Sequence, residues 1–256
     1  TLTISNSSNN GNITGSSSLG GLVGFISGDT NKTMKISNST NSGSVTGSSS
    51  LGGFVGSMYR KMNTVISNSI NNGNVTGKSG VAGFVGQMNW GTNLTMSFSN
   101  SVNNGNVNGT DYIGGFFGYI SRCTIMTMTI SDSTNNGNVN GSNYVGGFVG
   151  DVSSNTNMNR TISSSTNNDS ASGKKNSVGG FVGDVSSNNE MTITISDSIN
   201  LGNATGVDGV GGFVGNSSHN RMISLMVSNC TNHGIMMGMK QYVGGFFGYI
   251  LNNTHT

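Results

Sequence analysis

Apolar residues along this chain come in short, regularly spaced groups. Approaching Ile130 and Ile195 they alternate with polar ones, as Met126-Thr-Met128-Thr-Ile130 and Met191-Thr-Ile193-Thr-Ile195. That is the two-residue period of a half-buried strand. Further on, single valines such as Val139 stand between Asn and Gly, and a block such as Val145-Gly-Gly-Phe148-Val149-Gly150 follows. No stripe of period 3.6 appears, and glycine at every fourth to sixth position would cost a helix about 1 kcal/mol each. The pattern predicts three strands per unit: one ending near Ile130, one around Val139 and one across Val145 to Val149.

The grouping repeats. Eight units start at Ile4, Ile36, Ile66, Phe98, Ile130, Ile162, Ile195 and Val227, and together they occupy the whole of 1–256 as one domain. Periods of this size belong to solenoids, propellers and arrays. A propeller blade needs four strands and a longer repeat, whereas a unit this small buries its apolar face by stacking on its own copy. The expected fold is all-β, a parallel β-solenoid of eight coils, on the order of 38 Å long at ~4.8 Å per coil. The chain starts inside a repeat and not with Met, so it reads as a fragment of something longer.

Two columns support stacking. Asparagine fills the sixth position of every unit, at Asn9, Asn41, Asn71, Asn103, Asn135, Asn167, Asn200 and Asn232. Stacked amides can each donate to one neighbour and accept from the other. The glycines equivalent to Gly141 (Gly15, Gly47, Gly77, Gly109, Gly173, Gly206, Gly238) are expected at a corner with positive φ. Cys230 replaces a serine found at Ser7, Ser39, Ser69, Ser101, Ser133, Ser165 and Ser198, which suggests a small inward pocket.

Within the Gly-Gly-Phe-Val-Gly block two apolar columns run side by side. The first is Leu22, Phe54, Phe84, Phe116, Phe148, Phe181, Phe213 and Phe246; the second is Val23, Val55, Val85, Phe117, Val149, Val182, Val214 and Phe247. Adjacent strand residues point to opposite faces. The Phe column is therefore expected inside, and the Val column outside as an apolar contact stripe that a partner would cover.

"ISNSTNSGSVTGSSSLGGFVG" (36–56) and its sister units resemble the GLUG-type repeat, with its Gly-x-Val segment followed by a Gly-Gly-Leu/aromatic-Val-Gly block. The resemblance covers essentially the whole chain, with Phe where the name implies Leu. It implies a β-solenoid from a large secreted or cell-surface protein, adhesin-like, with the repeats as stalk or binding region. It carries no catalytic residue.

Composition agrees with a repeat: charged residues are 8%, Gly is 42 of 256 and Pro is absent. A net charge of +2, with no run of more than two basic residues, argues against nucleic acid. No apolar run is long enough to insert in a membrane. Cys123 and Cys230 are expected free, too far apart to pair. The histidines His219, His233 and His255 have no metal-ligand spacing, and no cofactor is implied. Asp151 and Asp184 occupy equivalent sites in adjacent coils and could hold a cation, but read better as a duplicated, exposed Gly-Asp-Val-Ser-Ser segment. Sequons such as those at Asn31, Asn93, Asn159 and Asn216 could carry glycan on a secreted chain.

Variation concentrates in 57–65, 87–97, 119–129 and 216–226, expected as outer corners. Tyr59, Arg60, Trp90, Arg122 and Arg221 lie there as a candidate binding edge for a protein or a surface glycan. The functional expectation is a non-enzymatic structural or adhesive rod, outside the cell or on its surface. A self-assembling filament packing through the Val stripe is the alternative. A carbohydrate-active enzyme is disfavoured because the carboxylates are scattered.

Overall fold

The computed structural model describes residues 1–254, apart from the side chains of Asp29, Thr30 and Asn31. His255, and the side chains of Asp29 and Asn31, thus lie outside the described residues. The chain is an all-β parallel solenoid of eight stacked coils, with successive coils 30 to 33 residues apart. Strands pair in parallel with their copies in adjacent coils, in register except for a shift between Gly28 and Lys32, for example Ile130 with Ile162 and Val149 with Val182.

Each coil holds five strands, not three. In the fifth they are the end of Thr124–Ser131, then Thr134–Asn135, Val139–Gly141, Asn143–Gly146 and Val149–Ser153. The segments expected as outer corners are strands too. Val149–Ser153 and Thr156–Ser163 flank a tight turn, and in the second coil the two merge into the single strand Val55–Ser67. Variable sequence is tolerated there because alternate residues face out while Met126, Met158 and Met191 face the core.

The strand across Val145 to Val149 breaks at Gly147-Phe148, and this overturns the expected split of the two columns. Alternation holds only along a continuous strand. Because the chain turns between Phe148 and Val149, both side chains enter the same core. Val55, Val85, Phe117, Val149, Val182 and Val214 are buried, and only the end members Val23 and Phe247 are half-exposed, so no outer contact stripe exists. Gly147 permits the turn: a Cβ there would collide with the Gly180 carbonyl and the Asn167 amide.

The Phe column from Phe54 to Phe213 is buried, with Leu22 half-buried and Phe246 39% exposed at the ends. Its rings stack face to face with centroids 4.7 to 5.2 Å apart. That separation is the strand spacing itself, so the backbone sets the ring distance. A second, smaller core holds the Val139 column against Val145, Ile113 and their equivalents.

The Asn column forms a continuous ladder. Asn135 Nδ2 donates to Asn167 Oδ1 (2.9 Å) and to the Gly137 carbonyl (2.9 Å), while Asn135 Oδ1 accepts from Asn103 Nδ2 (2.8 Å). The serine column beside it is buried from Ser39 to Ser198, each hydroxyl donating to the carbonyl two residues earlier, and Cys230 Sγ takes the same place 3.1 Å from the Ser228 carbonyl.

The Gly141 column does not adopt positive φ. Its members are glycine for want of space, since a Cβ on Gly141 would lie 2.8 Å from Val145 Cγ2 and 2.9 Å from Ile113 Cγ1. The left-handed corner belongs instead to Asn6, Asn38, Asn68, Asn100, Asp132, Ser164, Asp197 and Asn229, with φ near 50°. Asn and Asp are the non-glycine residues best suited to it.

Candidate functional site

The interior largely repeats, and the seam where the Asn143–Gly146 and Val149–Ser153 rows meet at the surface changes its side chains from coil to coil. Two columns face each other across it. One is Ser18, Ser50, Gly80, Tyr112, Tyr144, Ser177, Gly209 and Tyr242, every member with φ between 54° and 64°. The other is Phe25, Ser57, Gln87, Tyr119, Asp151, Asp184, Asn216 and Tyr249. Positive φ turns the first column toward the second, and members meet within a coil or across to the next. Ser50 bonds Gln87, Tyr112 stacks on Tyr119 at 4.3 Å, Ser177 Oγ donates to Asp184 Oδ1 at 3.1 Å, and Tyr242 packs on Tyr249 at 4.3 Å.

Asp151 and Asp184 lie under this seam, each 2% exposed, which corrects the expectation that they are solvated. They are register partners in adjacent coils. Asp184 is well held: Ser177 and Asn216 donate to Oδ1, and Ser186 donates to Oδ2. Asp151 accepts only from Ser153, at 2.8 Å. Burial first, and the neighbouring Asp184 second, push the Asp151 carboxyl well above the usual carboxylate range. Above it, burial, Tyr119 and Asp151 push the Tyr112 phenol up to about 12. Among the described residues no group of three or more His, Cys, Asp or Glu converges as a metal site.

Where the tyrosine column is interrupted by Ser177 and Gly209, the seam opens into a groove of about 270 Å³. Asn216 and Ser218 line one side, and Asn176, Ser177 and Asp208 the other. Tyr242, 48% exposed, and Tyr249 close one end.

The edge residues expected from sequence fall into two places. Arg60, Trp90 and Arg122 occupy one turn position in the second, third and fourth coils, all with positive φ. The Arg122 guanidinium lies 5.1 Å from the Trp90 ring centre, and Arg60 lies 5.5 Å from that of its neighbour Tyr59. Arg221 is not with them: it begins the strand Arg221–Ser228 in the seventh coil, past that turn. His219 shares the turn position of Arg122, and His233 follows the Asn ladder in the last coil.

Two features were missed from sequence. A second amide ladder runs through Asn155, Asn188, Asn220 and Asn253, each Nδ2 donating to the next Oδ1 at 3.0 Å. Its signal was an Asn six residues after Val149, Val182, Val214 and Phe247, hidden because Gly91 and Cys123 hold that position earlier. The other is Arg160, buried inside the core in the column of Met96, Met128 and Ile193, its guanidinium nitrogens without a hydrogen-bond partner. Burial lowers its pKa to about 10.

Cys123 and Cys230 are both free thiols. No helix among the described residues is long and apolar enough to cross a membrane. No family model, no curated protein and no solved structure matches this chain.

Proposed function

We propose that the chain is a non-enzymatic rod of a secreted or cell-surface protein, adhesin-like, that holds a binding seam in a fixed geometry. The observation that carries this is the division between its columns: the interior ones repeat almost unchanged, while the Ser18–Tyr242 and Phe25–Tyr249 columns change chemistry from coil to coil. Ladders and stacked rings along the axis supply stiffness, and a stiff support reduces the ordering cost of binding. The resemblance to GLUG-type repeats supports the extracellular setting. The nearest carboxyl pair, Asp151 and Asp184, sits side by side beneath the seam rather than facing across a cleft, which suits support better than glycoside hydrolysis.

The test is retention without turnover. Protein coated on beads should hold cells or insoluble polysaccharide, while the same protein incubated with soluble polysaccharides should release no new reducing ends. Cleavage, or no retention on any surface, would sink this reading.

End-to-end assembly is a second reading, favoured by the parallel stacking that copies of the coil already make on one another within the chain. Sedimentation as a single monomer across a concentration series would remove it. The side-by-side route through a Val stripe has no exposed face to use.

A further inference from the structure

We propose that the groove in the seventh coil, where Gly209 interrupts the tyrosine column, is a binding site for a neutral oligosaccharide. This rests on the reading of the chain as an adhesive rod and names the ligand class and its place.

The groove lies where Ser177 and Gly209 stand between the rings of Tyr144 and Tyr242. In the fourth, fifth and eighth coils the position of Gly209 holds Tyr112, Tyr144 or Tyr242, with the same positive φ. In the seventh it holds no side chain, and in the sixth only Ser177, so the ring of Tyr242 forms an exposed end wall. A flat aromatic wall beside short hydroxyl, amide and carboxylate groups matches a pyranose, whose apolar face stacks while its rim donates and accepts hydrogen bonds. Asn176, Ser218 and Asp208 provide those groups. The coil spacing of about 4.8 Å is close to the advance of one sugar unit in an extended glycan, so successive coils would meet successive units.

The alternatives fit less well. A peptide adding as a strand needs an open sheet edge, or pockets for apolar side chains. Here Asp208–Gly211 is already paired with Asn176–Gly179 and Val243–Gly244, and Val214–Ser218 with Val182–Ser186 and Phe247–Leu251. An anionic ligand would meet Asp208, the one charged side chain on the lining, with no basic group there to pair with. Asp208 Oδ1 already accepts from the Gln241 backbone N–H at 2.8 Å, which fixes that carboxylate in place.

The experiment uses the whole chain and immobilised cellohexaose, mannohexaose and chitohexaose, with oligogalacturonate and a proline-rich peptide as competing classes. Two variants probe the groove. Gly209→Tyr refills it with the residue that its column holds at Tyr112, Tyr144 and Tyr242 with the same positive φ, and its Cβ would lie 3.4 Å from the Gly215 carbonyl. Tyr242→Ala removes the exposed wall. Ile70→Ala, exposed in the third coil, is the control, and circular dichroism checks folding. Binding of at least one neutral hexasaccharide is expected, weakened about tenfold or more by Gly209→Tyr and by Tyr242→Ala and unchanged by Ile70→Ala. Binding of no neutral hexasaccharide, binding that survives Gly209→Tyr, or binding only of the peptide or oligogalacturonate would overturn it. Cells still retained by Gly209→Tyr beads would separate this failure from failure of the adhesive rod.

Discussion

Asp151 of the fifth coil lies directly against Asp184 of the sixth, two carboxyls in register beneath the seam, one held by three donors and the other by one. The pair makes stability depend on pH. Asp151 binds its proton more tightly folded than unfolded, so its favourable contribution is complete below the ordinary carboxylate pKa of about 3.9. It is lost as pH rises through the elevated folded value. Asp151→Asn should abolish that loss, because an amide there can donate to Asp184 as Asn216 does from the other side at 2.6 Å. Urea midpoints from pH 3 to 8 should decline for the parent and stay flatter for the variant. Equal slopes would refute the assignment.

Arg160 is an uncompensated buried cation in a methionine-lined core. Replacing such a charge by an apolar side chain of similar reach is expected to stabilise by about 1–4 kcal/mol. Arg160→Met, which copies Met96 and Met128 in the same column, should therefore raise the melting temperature, by roughly 2–4 °C per kcal/mol. A lower melting temperature would mean that the guanidinium has a partner in solution.

Asn135 is in mid-ladder, and Asn9 is at its exposed start. Asn135→Ala leaves the Asn103 amide and the Gly137 carbonyl short of partners and should cost about 1–3 kcal/mol per buried group left unsatisfied. Asn9→Ala should cost much less, since water reaches its neighbours. Comparable losses at both sites, measured by chemical denaturation, would argue against a ladder that acts along its length.

Val149 is 1% exposed. Val149→Ala should cost about 2 kcal/mol through lost burial and the cavity left behind. Val149→Asp should prevent folding of the solenoid. A soluble, folded Val149→Asp chain by circular dichroism would restore the outward stripe.

The period, the parallel stacking and the Asn135 column were legible in the sequence because an in-register solenoid turns each structural demand into a repeated letter. The fate of Val149 was not legible. Alternation assigns faces only where the strand is continuous, and the turn between Phe148 and Val149 depends on how Gly147 packs against the Gly180 carbonyl of the next coil. Gly141 was legible as obligatory but not for its reason, since lack of room beside Val145 and a positive φ both select glycine. The Arg60–Trp90–Arg122 turn was visible as variation. The Gly209 groove was not, because its defining feature is a side chain that is missing opposite Asn216.

The hydrogen bonds between coils, like the Asn135–Asn167 contact, run along the length of the rod. A tether pulling on the two ends of the chain would load them a coil at a time, as a zip opens, instead of shearing whole rows at once. Each coil released would pay out about 32 residues, on the order of 110 Å of extended chain. Under such a pull the chain would lengthen in steps of one coil, each 30 to 33 residues long.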